Sequence, residues 1–264
     1  MKISVIRLCF LLFVYLGIQS SKTNTFHYDF EGEKFKKGDI WNVLETCCEH
    51  SYKYSSDESY KGKKSVKFEL RRNDKEVHNS KRSEFAARVE KANGDNWYRF
   101  RMFIPENWET DPKSFDIITQ WHGYPDFDKG ETWRSPPLSM IIEGNRIKLK
   151  SQWDSKEVTV NNTPEGKAVL WKGNLDKLKG KWVNWTFHIK WSHSQDGIIE
   201  VWKNQEKIVT HKGANTYNDE RGVYLKIGLY KPDWKYSPQK SIVDTRIIYF
   251  DDLEVGYGEK ISGH

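Results

Sequence analysis

Between residues 26 and 257, apolar and polar side chains alternate in one short segment after another, a pattern that points to β-sheet. Val66, Phe68 and Leu70 alternate with Lys67, Glu69 and Arg71, and Phe85, Ala87 and Val89 with Glu84 and Arg88. The same period of two returns at 97–104, 117–122, 183–191, 223–230 and 247–255, with turn signals such as Glu143-Gly144-Asn145 and Asp196-Gly197 between segments. Successive side chains of a strand point to opposite faces, so each segment predicts a strand with one buried and one solvated face. Helical periodicity is scarce; the best candidate, residues 174–178, is one or two turns long. No linker, low-complexity tract or fixed-period repeat divides the chain. These features predict an all-β fold in a single domain over residues 22–264: two packed antiparallel sheets, a jelly roll or related sandwich with one concave face.

A low mean hydropathy would suit disorder, but 12 Trp, 13 Tyr and 13 Phe supply enough large apolar side chains for a sizeable core. The one long apolar run, Leu8 to Ile18, follows Lys2 and Arg7 and ends in Gln19, Ser20 and Ser21. It is too short for a membrane span of roughly 20 residues and reads as a signal peptide over residues 1–21. The expected mature protein is therefore secreted or periplasmic, with no membrane attachment, and is a monomer. Removing a leader that carries Lys2 and Arg7 and no acid lowers the net charge from +6 to +4. That mild basicity argues against a nucleic-acid partner. After Cys9, only Cys47 and Cys48 remain. Their adjacency is a poor setting for an unstrained bridge, and without Cys/His partners the expectation is two small apolar side chains at a strand end.

Several strands carry polar, often basic, sets on one face: Arg82, Glu84 and Arg88; Arg99 and Arg101; Gln120 and His122; Lys226 and Tyr230. Shared on one sheet, they would line a positive groove suited to a long acidic ligand. Gln120 and His122 project together, with Trp121 on the opposite face. Tyr224, Lys226 and Tyr230 share a face, and Gly228 leaves a gap through which a ligand would approach the backbone. Glu84, two residues from Arg82, is placed to hold that guanidinium in a bidentate pair.

Taken in order, Arg82-Ser83-Glu84-Phe85, Gln120-Trp121-His122 and the run from Tyr224 to Lys231 resemble the jelly-roll polysaccharide lyases, nearest the group of heparin lyase I and glucuronan lyase. The alginate lyases of the same fold have similar blocks. Ser135-Pro136-Pro137-Leu138, the stretch 182–191 with Asp196-Gly197, and Tyr249-Phe250-Asp251-Asp252 extend the likeness over residues 26–257. Two departures, Trp121 in place of Ile and Lys231-Pro232 after Tyr230, favour the heparin and glucuronan side over the alginate lyases.

The resemblance implies a concanavalin-like jelly roll that cleaves a 4-linked uronate polymer by β-elimination. H5 is removed, the C4 oxygen leaves, and the new end is an unsaturated uronate. By resemblance, Gln120 and Arg82 stabilise the aci-carboxylate, His122 takes H5 and Tyr230 protonates the leaving oxygen. Lys226 lowers the pKa of Tyr230 or binds a neighbouring carboxylate, and Glu84 and Tyr224 complete the substrate-binding set. Partners would be acidic polysaccharides of the glucuronan, alginate or glycosaminoglycan type. No cofactor is needed for this chemistry, and a structural calcium at Asn218 and Asp219 is the only metal the resemblance brings in. Two rivals remain on the same sandwich: a non-catalytic carbohydrate-binding module and a glycoside hydrolase. The hydrolase lacks its expected pair of carboxylates along one strand, for which Asp251-Asp252-Leu253-Glu254 is the nearest approach.

Overall fold

The structure, a computed structural model, describes residues 24–38, 40–89 and 94–261. The leader expected over residues 1–21 lies outside the described residues. Strands β1 (Thr25–Tyr28), β2 (Trp41–Glu45), β3 (Tyr52–Ser55), β4 (Ser65–Arg71) and β5 (Arg82–Ala87) come first. They are followed by β6 (Asp95–Phe103), β7 (Phe115–Gly123), β8 (Leu138–Glu143), β9 (Arg146–Trp153) and β10 (Gly166–Asn174). The last five are β11 (Trp182–Lys190), β12 (Ile198–Lys203), β13 (Glu206–Lys212), β14 (Val223–Tyr230) and β15 (Thr245–Tyr257). All are antiparallel and form two sheets. One sheet runs β13-β12-β11-β6-β15-β4-β3, with β1 added on β15; the other runs β10-β9-β8-β7-β14-β5-β2.

The apolar parity of each strand meets its counterpart between the sheets. Trp121 of β7 packs on Phe187 of β11 and Tyr98 of β6, at ring-centroid distances of 4.6 and 5.4 Å. Phe85 of β5 meets Phe68 of β4 edge to face at 4.8 Å. These rings belong to one continuous buried cluster, and burial of each such side chain stabilises the fold by about 1.5–3 kcal/mol. Because Trp121 faces inward, Gln120 and His122 face outward. The sandwich thus converts an alternating sequence directly into a polar face on the second sheet.

Three expectations change. The candidate helix at 174–178 is a 3-10 turn, Leu175–Lys177, in which the Asn174 side chain accepts the Asp176 N–H at 2.9 Å. The α-helix among the described residues is instead the single turn α1 (Asp233–Tyr236), which follows Pro232 and was invisible to periodicity because it is four residues long. Cys47 and Cys48 form a disulfide with each other rather than lying as two thiols. The basic residues also divide between faces. Arg99 and Arg101 lie on β6 in the other sheet, paired with Glu254 and with Asp252, and Arg88, beyond β5, covers the rings of Phe26 and Tyr257. Identical parity on two strands cannot reveal that they belong to different sheets.

Candidate active site

Four neighbouring strands, β7, β14, β5 and β2, bring the expected site residues onto one sheet. The register sets Tyr224 opposite His122, Lys226 opposite Gln120, and Tyr230 opposite Arg82. Gly228 stands opposite Glu84. Two strand spacings, about 9.6 Å, separate β7 from β5. Nevertheless Gln120 Nε2 donates to Glu84 Oε1 at 2.6 Å across the intervening β14. On β14 between them, Gly228 lets the β5 backbone come close. Its φ of +128° is in the region that favours glycine, and a Cβ there would lie 2.2 Å from the Ser83 carbonyl oxygen. The space beside Gly228 is therefore taken up by the backbone of β5.

At the centre is a residue that no motif marked. Glu45, the last residue of β2, lies directly beside Glu84 in the register. Two adjacent carboxylates repel unless cations intervene. Lys226 Nζ donates to both, at 2.7 Å each, and Arg82 Nη1 reaches Glu45 at 3.0 Å and Glu84 at 3.6 Å. Burial opposes ionisation of Glu45, but Lys226 and Arg82 outweigh it and hold its carboxyl below the usual range. Arg82 is thus oriented chiefly by Glu45, while Glu84 secures Gln120 and Lys226. Lys226 is 1% exposed and its ammonium is occupied by two carboxylates, so it sits under the site instead of projecting to a ligand. The signal for Glu45 was only an acid at the end of a short alternation, Trp41-Asn42-Val43-Leu44-Glu45; its partners follow from a strand pairing that sequence spacing does not show.

The two proton-transfer candidates differ in state. His122 is half-buried, and its Nδ1 lies 2.8 Å from the Gly123 carbonyl oxygen. A carbonyl only accepts, so Nδ1 carries the proton and Nε2 keeps its lone pair. Burial, then the positive charges of Lys226 and Arg82, push the imidazole pKa down to about 4, and the site histidine is neutral at neutral pH. Tyr230 has the Arg82 guanidinium 4.4 Å from its ring centroid. Burial nevertheless raises its pKa above 10, with Ser80 and Arg82 acting the other way, so Tyr230 is a protonated phenol. Tyr224 stands beside His122, ring centroids 5.8 Å apart, and burial keeps it a phenol as well. A neutral imidazole with a free lone pair, a phenol with a proton to give, and an amide beside a guanidinium are the parts an elimination needs.

The calcium expectation fares differently. Asn218 donates its side-chain N–H to the Ser155 carbonyl, while Asp219 turns inward beside Asp126 and Glu131. Arg134 bridges Glu131 and Asp219, and Lys129 lies against Asp126. The Glu131 oxygens already accept the N–H groups of Asp126 and Thr159. Calcium takes six to eight oxygen ligands, whereas among these carboxylate oxygens Asp219 Oδ2 alone has no partner. The donor set does not fit calcium; it is an internal ion-pair cluster, in which burial pushes Asp219 up to about 7 against the pull of Arg134.

The polysaccharide lyase family profile matches residues 21–254, a span that contains every candidate site residue and all the strands but the last three residues of β15. The chain belongs to the polysaccharide lyase family. No curated protein matches its sequence. In fold, the lyase is similar to the endo-β-1,4-glucuronan lyase of the fungus Trichoderma reesei, at 17% identity and a TM-score of 0.69, over 89% of this chain and 99% of the other. The alginate lyase A1-II′ of polysaccharide lyase family 7 matches at 13% identity and a TM-score of 0.54, over 84% and 94%. The GH131 β-glucanase catalytic domain of Podospora anserina matches at 10% identity and a TM-score of 0.54, over 84% and 87%. Lyases and a glucanase share the sandwich, so the fold alone does not choose the reaction.

Proposed function

We propose that the lyase cleaves a 4-linked uronate polymer by β-elimination, with His122 as the base that takes H5 and Tyr230 as the acid that protonates the C4 oxygen. The observation that carries this reading is geometric: His122, with Nδ1 tied to the Gly123 carbonyl and Nε2 left as an acceptor, and Tyr230, beside the Arg82 guanidinium, stand on paired strands of one sheet. Arg82 neutralises the substrate carboxylate, the Gln120 amide, 1% exposed and with one N–H held by Glu84, offers its second N–H from the floor of the site, and their hold tightens as the aci-carboxylate gains charge. Arriving next to Arg82, that carboxylate offsets part of the positive field that weakens His122, so the base strengthens when substrate binds. Glu45, Glu84 and Lys226 act through Arg82 and Gln120 as positioning residues.

The two carboxylates nearest the site, Glu45 and Glu84, are buried in ion pairs with the same lysine, which disfavours a hydrolase in which two acids flank the scissile bond. An acidic polysaccharide of the glucuronan, alginate or glycosaminoglycan type is the proposed substrate. Export is proposed from the leader at residues 1–21, and the Cys47–Cys48 bridge supports it, since disulfides persist outside the reducing cytosol. The test is incubation with glucuronan, alginate, heparin and heparan sulfate, followed by the ultraviolet absorbance of the conjugated unsaturated uronate. Growth of that absorbance with at least one polymer is the expected result; reducing ends released without it would overturn elimination.

A further inference from the structure

Directly beyond β7, the chain exposes aromatic surface that the fold does not require. Trp133 is 55% exposed and Phe127 45%, in a protein that buries most of its large rings. Apolar surface clustered in one place marks a binding site more often than scattered exposure does. Tyr124, Phe127 and Trp133 contact one another at centroid distances of 5.4–5.6 Å, and Trp133 lies 5.4 Å from the ring of His122. All these contacts are edge to face, so no ring among them stacks on Trp133 in parallel. The exposed Arg221 guanidinium lies 3.5 Å over the Tyr124 ring and brings a positive charge to the cluster. The segment is also rigidly founded. Asp126 N–H is held by Glu131, Tyr124 N–H by the Gly222 carbonyl, and Arg134 ties Glu131 to Asp219 beneath it. The buried ion-pair cluster that does not suit calcium thus has a use: it anchors the base of the loop that presents these rings.

We propose that Trp133, with Tyr124, Phe127 and Arg221, forms a subsite for an acidic sugar adjoining the one held at His122. The inference rests on the reading of His122 as part of the catalytic groove. The face of a sugar ring, lined with C–H groups, packs on an indole, and its carboxylate pairs with a guanidinium at the platform's edge. Continuity with His122 places this sugar next in line along the polymer. Its contacts are made equally in the ground and transition states, so the subsite contributes to KM rather than kcat.

The test compares wild type with Trp133→Ala, Trp133→Phe, Phe127→Ala and Arg221→Gln, first in initial rates on the polymer that gives unsaturated product. Trp133→Ala is expected to raise KM about tenfold with kcat held within about twofold, and Trp133→Phe to recover most of the loss. Arg221→Gln should raise KM and flatten its increase with salt. The second arm is retardation of each protein in native gels containing glucuronan, alginate or heparin, in a Tyr230→Phe background. Retardation by an acidic polymer that Trp133→Ala and Phe127→Ala weaken supports the platform. KM and retardation unchanged in those folded variants would overturn it, as would a fall in kcat at constant KM, which would make Trp133 a support for the His122 ring. If wild type yields no unsaturated product from any polymer, the proposed reaction has failed, and the gel arm alone decides the platform.

Discussion

In the proposed mechanism Tyr230 and His122 divide the proton transfers, and each residue makes its own prediction. Tyr230→Phe keeps the ring under Arg82 and removes only the hydroxyl, so kcat should collapse while binding persists. Retention of more than about a tenth of wild-type kcat, a loss below ~1.4 kcal/mol, would remove the acid role. His122→Ala should be nearly as damaging, because Tyr230 holds its proton and does not take H5 in the place of His122. The pH profile carries a sign. With a pKa of about 4, His122 stays unprotonated through the neutral range, so the acid limb of kcat/KM falls near 4 and not near the ordinary 6.5. Lys226→Met removes one of the charges holding His122 down and should move that limb upward; an unmoved limb would show that Lys226 does not act on His122. The same depressed pKa means that the unfolded chain takes up a proton on His122 before the folded one does. Stability through this residue is therefore lost as pH falls from about 6.5 toward 4. Gln120, His122, Arg82, Glu84, Tyr224 and Tyr230 were readable by parity and motif order. Glu45 was not, because its role comes from lying beside Glu84 and under two cations, and only strand pairing creates that neighbourhood.

Strand β14 is the element on which the site depends. It is flanked by β5 and β7, carries Tyr224, Lys226 and Tyr230 on one face, and at Gly228 lets the β5 backbone approach closely. Gly228→Ala would force a Cβ into the backbone of β5 at a φ that L side chains avoid, and should lower both the yield of folded protein and activity. Just past β14, Lys231 is buried between Asp111 and Asp116, at 2.9 and 3.1 Å, and Arg246 of β15 binds Asp116 at 3.1 Å. This cluster ties the end of β14 to the other sheet. Asp116→Ala takes from buried Arg246 its nearest carboxylate and leaves Lys231 with Asp111 alone, and urea unfolding should report a loss of about 3–5 kcal/mol. A loss under about 1 kcal/mol would mean that the cations find other partners. In sequence, Lys231 stood out only as a departure from the alginate lyases. Its acids come from the 104–116 stretch, more than a hundred residues away, so spacing could not connect them.

Over the whole molecule, alternation made the sandwich legible because two-faced strands have few other ways to bury so many large rings. What it left open was which strands share a sheet: Arg99 and Arg101 have the parity of Gln120 and His122 but lie on the other sheet. The aromatic platform at Trp133 was missed for a related reason: it sits in a loop, where no periodicity separates an exposed ring from a buried one. Architecture is equally shared by lyases and a glucanase, so the decisive measurement concerns bond chemistry. It is the mass spectrum of oligosaccharides released from a cleaved uronate polymer by wild type, with Tyr230→Phe alongside. Elimination gains no water. The predicted fragments are therefore one water lighter at their new non-reducing ends than hydrolysis would leave them, and they vanish with Tyr230→Phe. Fragments carrying the full mass of added water, or unsaturated fragments made undiminished by Tyr230→Phe, would contradict the mechanism.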